Sequence, residues 1–586
     1  MDFSLSNSLV GSATLNPDKL SLDLQFAADK TLTARKGPTP TFTRASGATF
    51  VNNLGQVKYA RENLYQLSQS FTDVSWNKNN ITLTSGISDP LGGSNAFKLT
   101  ENTVNSSHTL GLAVTPTAIP HTMSIYAKKG ERNWIVLRLG AVNTSFNLDT
   151  GTFIASANPA AISNEGNGWY RCSVTSSAGT QGSYRMSPDG VTDSYTGDGT
   201  SGVFLFGAQL ERHEFARAYI PTTTSAVYQP RFDHDPVTLA SRGLLIEESR
   251  TNVGLQSESF DSSTWDLGAQ RNLTIAADNI ASPSGLTNAD RLTVGATTTI
   301  YQVIQATPTL TSGTVYTVSC FFKANQVTRV AIYATTTATL PVSAIFELSG
   351  SGTVVQTSFG TASIQQYSNG WYRCIITGTA GASVPTSVRI SPVTGTSTTY
   401  TGNSVDSFYA WGYQLEVGSF PTSYIPTTTA SVVRSADVCS ITGSAFTGFY
   451  NQSEGTVLTD SIPAVVAGTT TVFGLSNGTA NERWLNRFAQ NEQVIITSAG
   501  TESTMDSLNP VAGQRYKVVV TGKVNDFAMS INGLTAVTDT SQPMPVVDRA
   551  GIGTPNGVAA AGVSTIASIR YYKKRLSNAK IQTLTA

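Results

Sequence analysis

Charge is what this chain of 586 residues has least of. Asp, Glu, Lys and Arg make up 13% of it, about half the roughly 25% of an average globular protein. The 38 basic residues balance the 38 acidic ones, so there is no electrostatic footprint for nucleic acid or for an anionic membrane. Four cysteines, Cys172, Cys320, Cys374 and Cys439, are too few for a disulfide scaffold. None stands in a C-x-x-C pair, which argues against zinc ribbons and thioredoxin-like sites. Only four histidines occur, with no HExxH and no P-loop. No run of 18 apolar residues appears, and the first twenty residues lack a basic stretch and an apolar core. Neither a membrane span nor a signal peptide is expected. Long stretches of 3.6-residue periodicity are missing as well. The scarcity of charge does not mean disorder, because 40% apolar and 9% aromatic residues fill several cores.

What is present is a repeat. Arg61-Glu62-Asn63 leads to Phe71 and Trp76, and Arg250-Thr251-Asn252 leads to Phe260 and Trp265 at the same spacings. NGWYRC occurs at 167–172 and at 369–374; Arg185-Met186-Ser187-Pro188 matches Arg389-Ile390-Ser391-Pro392. Gln209-Leu210-Glu211 with YIPTTT (219–224) matches Gln414-Leu415-Glu416 with YIPTTT (424–429). The order is kept, as for one fold copied twice, over about 62–226 and 251–431.

Each copy reads as strands. MSIYAK (123–128), WIVLRL (134–139), WYRCSV (169–174) and VFLFGAQL (203–210) are short, β-branched or aromatic, and separated by Gly, Asn, Asp, Ser and Thr. The expected fold class is all-β, with β-sandwich or jelly-roll modules in tandem. Toward the C-terminus KVVVTG (517–522), FAMSINGL (527–534) and ASIRYYKKRL (567–576) suggest a meander with an Asn532-Gly533 turn. SNAKIQTLT (577–585) suggests a terminal helix.

FTRASGATF (42–50), PRFDHDP (230–236) and GLLIEESRTN (243–252), followed by Ser257-Glu258-Ser259-Phe260 and Trp265, resemble the modular virion adhesins of tailed bacteriophages. In that family the FTRAS segment usually runs straight into PRFDHDP; here the first repeat stands between them. The resemblance implies four parts. Residues 1–61 with 227–250 would form an N-terminal or virion-attachment domain, and 62–226 an inserted carbohydrate-binding-like jelly roll. Residues 251–434 would form a second such module, and 435–586 a laminin-G or concanavalin-like sandwich. It implies a tail fibre or tail-tip protein of the virion, made in the host cytoplasm, that binds host surface polysaccharide. Other virion proteins would be partners and a homotrimer the expected assembly. The alternative is a head-fibre, decoration or baseplate protein making protein contacts alone.

Candidate sites follow from strand alternation. It puts Tyr170, Cys172 and Val174 on one face and Trp169 and Arg171 on the other; Trp371 and Arg373 repeat this opposite Tyr372, Cys374 and Ile376. A Trp beside an Arg can stack on a sugar and hydrogen-bond its hydroxyls. The competing reading, favoured by how deeply Trp is usually buried, packs the ring and covers it with Arg. Trp134 and Tyr333 lie in corresponding strands and complete the candidate carbohydrate-binding set. Asp189, Asp193 and Asp198 on a Gly-rich loop are a weak Ca²⁺ candidate, three carboxylates where at least six oxygens are required; a plain loop is the favoured reading, and no other metal or cofactor is expected. Glycoside hydrolysis needs two carboxylates about 5–10 Å apart. No acid pair recurs in both repeats, and Asp149 faces only Ser349 in the alignment, so the expectation is a non-enzyme.

Overall fold

The computed structural model describes residues 20–113, 119–177, 181–265, 272–334, 342–381, 387–466, 470–489, 494–556 and 562–586. The chain divides into two compact units, Tyr59–Gln229 and the remainder, residues up to Lys58 together with Pro230–Ala586. Strands dominate both. The helices among the described residues are short, and Asn578–Thr585 is capped by the Ser577 hydroxyl accepting from the Lys580 N–H.

Unit Tyr59–Gln229 is a sandwich of two six-stranded sheets. The front sheet runs Thr152–Phe153, Val142–Asn147, Trp134–Leu139, Gln181–Ser187, Thr109–Ala113, Asn77–Asn79; the back sheet runs Ala160–Gly166, Trp169–Ser176, His121–Lys129, Gly202–Glu211, Ala96–Glu101, Ile81–Ile87. Alternation decides the core. Ile135, Leu137 and Leu139 meet Met123, Ile125, Cys172 and Val174 between the sheets, while Trp134, Val136 and Arg138 point outward.

The second module repeats this order. Its front sheet runs Thr353–Ser358, Ser343–Glu347, Arg329–Ala334, Ser387–Pro392, Val303–Ala306. Its back sheet runs Thr361–Gln366, Trp371–Thr379, Val315–Ala324, Ser407–Val417, Thr287–Val294, Leu273–Ala281. Even a bulge is copied. The longest back strand slips register opposite Ser124/Tyr126 in one module and Ser319/Phe321 in the other. Gly207 and Gly412 stand there at φ +65° and +69°, and a Cβ on Gly412 would sit 2.8 Å from the Phe321 ring. A bulge that needs left-handed backbone takes glycine. All four cysteines are free and buried; Cys320 and Cys374 face each other across neighbouring strands where the first module has Ile125 and Cys172.

The third sandwich packs an eight-stranded sheet on a seven-stranded one around Val457, Val518, Val520, Trp484 and Ile569. The expected N-terminal domain is not a separate body. Leu20–Leu24 and Ser241–Glu247 both pair with Val563–Tyr572, and Thr41–Thr43 pairs with Val438–Thr442, so these segments complete the C-terminal sandwich. Their apolar alternation explains it: Leu22, Leu24, Leu244 and Ile246 have a face to bury, and so short a set of segments cannot build a core alone. The meander also needs correcting. Tyr516–Lys523 pairs with Asp526–Ile531, but Val563–Tyr572 lies beyond Glu454–Pro463. Asn532 and Gly533 do turn with φ +45° and +77°, yet pairing with Val537–Asp539 resumes only at Met529.

Candidate functional site

Most residues that define the repeat close each module on itself. The Asn63 amide donates to the Ala208 and Ile220 carbonyls (3.0 and 2.8 Å) and its oxygen accepts from Leu210 N–H. Asn252 does the same with Ile425 and Leu415 (2.8 and 2.9 Å). Gln209 donates to Glu211 and accepts from Ile220 N–H; Gln414 donates to Glu416 and accepts from Ile425 N–H. The R-x-N, QLE and YIPTTT motifs therefore clasp the first strand to the last. Buried polar groups demand such partners.

The FTRAS, PRFD and GLLIEE segments converge on a buried ionic junction. Arg231 bridges Glu247 and Asp437, both at 2.5 Å, Arg44 reaches Asp437 at 2.9 Å, and Arg434 approaches Glu247 at 3.5 Å. Side chains here are at most 1% exposed. Ser423 donates its N–H and hydroxyl to Glu247. Burial pushes the Arg44 guanidinium down to about 10, with Asp437 opposing and Arg231 adding to the fall. The junction joins the N-terminal segment, the end of the second module and the C-terminal sandwich, which is a structural task. The Asp233-His234-Asp235 turn beside it is structural too: Asp233 accepts from Val51 N–H at 2.8 Å, and burial pushes its carboxyl up to about 6.

The WYRC residues keep the faces expected of them, but they are no platform. Trp169 is 3% exposed, packed with Ala96, Tyr126 and Phe206; Trp371 is 1% exposed, packed with Val51, Val57, Phe321 and Trp411, its N–H donating to Ala281. Arg171 lies 5.3 Å from the Tyr126 ring centroid, and Arg373 5.4 Å from that of Phe321 while donating to the Thr422 carbonyl. The rings stabilise outer-face clusters that strand alternation alone cannot reveal, because what covers them comes from distant strands and, for Trp371, from Val51 and Val57. A sugar has no face of either ring to stack on.

The loop aspartates do not converge. Asp189 accepts from Val191 and Thr192 N–H, Asp198 from Thr200 and Ser201 N–H, and Asp193 pairs with Arg185 at 3.1 Å and accepts from Asn143 at 2.7 Å. These bonds hold the Asp189 carboxyl down at about 2. Among the described residues no group of three or more His, Cys, Asp or Glu side chains is placed to hold a metal ion. Asp149 pairs with Lys129.

The outer face of the front sheet is different, and it differs between modules. In the first, Trp134 stands opposite Ser187 and Val136 opposite Arg185. The Trp134 ring lies against the turn at Gly190, where a Cβ would come within 2.6 Å of it. In the second, Ala331 stands opposite Ser391 and Tyr333 opposite Arg389. Trp134 thus corresponds to Ala331 and Val136 to Tyr333. With the indole replaced by a methyl group, a cleft of about 460 Å³ opens, lined by Ala331, Tyr333, Ser343, Gln356, Phe359 and Arg389 among others.

The cleft is furnished for a small polar ligand. Arg389, Tyr333, Ser343 and Ser358 form one row across four adjacent strands. Tyr333 donates its hydroxyl to Gln302 at 2.8 Å, which fixes the ring. The Arg389 guanidinium lies 6.0 Å from that ring's centroid, and its Nε is buried without a hydrogen-bond partner. Thr396 and Thr398 add hydroxyls. At the rim Phe359 is 65% exposed and held at φ +61°. A bulky side chain in the left-handed region is strained by about 1–3 kcal/mol, and this ring gains little burial in return. Of the expected residues, Tyr333 belongs to this site. Arg389 and Phe359 do not follow from composition or faces, although the R-x-S-P match between the copies marks Arg389.

No family model matches this sequence, and no curated protein matches it either. Among solved structures, the chain is similar to the CBM40 of a Ruminococcus gnavus IT-sialidase bound to α2,3-sialyllactose, at 16% identity over 23% of this chain and 84% of that one, TM-score 0.21. It is similar to domain 4 of AbnA, an extracellular GH43 arabinanase from Geobacillus stearothermophilus, in complex with arabinotriose (12% identity, 29% and 84% covered, TM-score 0.22). A third likeness is the botulinum neurotoxin type G receptor binding domain (8% identity, 23% and 38% covered, TM-score 0.19). Likenesses of that extent do not identify a ligand for this chain.

Proposed function

We propose that the chain is a non-enzymatic glycan-binding protein, and that the front-sheet cleft of its second module is the sugar site. The observation that carries this is Phe359, an exposed aromatic ring kept in strained backbone at the rim of a cleft that also presents Tyr333, Arg389 and a row of hydroxyls. Flat rings cover the apolar face of a sugar, while serine, threonine, glutamine and arginine exchange hydrogen bonds with its hydroxyls. A volume of about 460 Å³ lies within the usual range for small-ligand sites. The linker motifs that resemble phage adhesins extend the reading to a tail fibre or tail-tip protein of the virion. There, several copies, as in a homotrimer, would turn weak sites into firm attachment to a host surface polysaccharide.

A glycan array probed with the full chain and with Phe359→Ala tests this. The wild type retains a set of glycans, and the variant loses them while its melting stays that of a folded protein. Equal retention by both would remove the cleft from consideration. A purified chain that binds no glycan and no host cell would leave the reading as a virion structural protein.

A further inference from the structure

The two front faces differ in charge as well as in shape. Arg185 and Arg389 occupy the same place in the R-x-S-P repeat and the same row of the sheet. In the first module Arg185 is neutralised: its Nη1 lies 3.1 Å from Asp193, and its Nε donates to Ser183. The corresponding loop of the second module, 391–400, carries no carboxylate in its sequence SPVTGTSTTY. Among the described residues no acid pairs with Arg389, and its Nε has no acceptor. Glu347, the acidic residue on that face, stands at the far end of the strand pair, opposite Arg329, which binds it. Four residues of strand separate that pair from Tyr333, roughly 13 Å.

We propose that the cleft selects an acidic sugar, one bearing a carboxylate or a sulfate, with Arg389 receiving the oxyanion. This rests on the glycan-binding reading of the same cleft. Arg389 is half-buried on the cleft wall with no acid beside it among the described residues, and arginine presents paired donors in the geometry that carboxylate and sulfate oxygens accept. Tyr333 holds the guanidinium from one side, and the Ser343, Ser358, Thr396 and Thr398 hydroxyls are spaced along the remaining floor for sugar hydroxyls. The first module cannot do this: its arginine is already paired and Trp134 occupies the floor.

The experiment uses the full chain and matched probes: a galacturonate oligomer against its carboxyl-reduced form, and dextran sulfate against dextran, measured by calorimetry. An array of acidic and neutral glycans runs beside them. The wild type binds an acidic member at least about tenfold tighter than its neutral partner, as expected for one charge-assisted fork. The pair that shows the preference identifies carboxylate or sulfate. Arg389→Gln abolishes the preference, Arg389→Lys keeps part of it, and Thr398→Asp, which supplies the acid of the first module, suppresses it as Arg389→Gln does. Unchanged melting shows that each variant is folded. If neutral glycans bind equally well and Phe359→Ala alone removes them, the site stands and this inference fails. If none of the probes or arrayed glycans binds, both fail together.

Discussion

The two jelly rolls share strand order, bulge and clasp, and they differ on one outer face. Where the first module has Trp134, Val136 and an Arg185 paired with Asp193, the second has Ala331, Tyr333 and an Arg389 without an acid. The shared residues are the buried ones, because a sandwich core and its polar clasp tolerate little change. The face that diverged lies outside the core between the sheets, in a small cluster of its own, so exchanges there alter the outer surface and leave the strand order alone. A duplicated scaffold thus separates what must be kept from what is available for binding.

The largest effects should come from buried features of the two modules. Arg231→Ala leaves the buried Asp437 with Arg44 and the buried Glu247 with Arg434 and Ser423 and should cost about 3 kcal/mol, lowering the calorimetric transition of the unit that holds the second module and leaving that of Tyr59–Gln229 in place. Two shifted transitions would contradict the division into units. Trp371→Ala should cost about 4–5 kcal/mol and Trp169→Ala about 3 kcal/mol, because Trp371 sits in the larger cluster; denaturant unfolding compares them. Equal, negligible losses would return both rings to the list of candidate platforms.

A smaller effect is set by pH. Glu258 receives the Tyr424 hydroxyl at 2.9 Å and the Asn288 amide at 2.6 Å, and burial pushes its carboxyl from 4.5 up to about 7. Between those values the folded chain holds a proton that the unfolded chain releases, so this group makes stability fall as pH rises from about 4.5 to about 7. The first module has Gln69 at the matching position and lacks this dependence. Glu258→Gln should therefore stabilise the second module at pH 7 by on the order of 1–3 kcal/mol and flatten its melting temperature against pH. A steeper profile in the variant would show that the carboxylate form is the stabilising one.

The smallest effects on stability should be the most telling for function. Phe359→Gly relieves the left-handed strain and should be neutral or stabilising by up to about 1 kcal/mol, while glycan retention falls. Ala331→Trp rebuilds the first module's floor and should close the cleft; Ala331 is 3% exposed and packs with Ile345 and Val393, so the larger ring should cost about 1–3 kcal/mol. If either variant binds as the wild type does, the ligand sits elsewhere.

How much of this the sequence discloses depends on the distance over which a feature is decided. WIVLRL and WYRCSV show their strands and faces directly, since alternation is local and one residue's slip would turn every side chain over. The repeat likewise discloses that two modules share one strand order. Alternation puts Trp169 and Trp371 opposite the core face, but whether that face is wet depends on what packs over it. For Trp371 the cover includes Val51 and Val57, more than 300 residues earlier in the chain. The FTRAS and PRFD segments are legible as motifs, yet their role waits on Asp437, which no motif contains.

The sequence by itself determined the all-β class, the duplication and the inner faces, because hydrophobic alternation and turn residues act over a few positions. The tertiary structure alone decided that the N-terminal segments finish the C-terminal sandwich, that the conserved-looking tryptophans of the repeat are buried, and that Ala331, Tyr333, Phe359 and Arg389 share one cleft. Those outcomes depend on registers between strands far apart in sequence. A single residue's size or charge there, Ala for Trp or the loss of one Asp, acquires meaning only through the neighbour that register supplies.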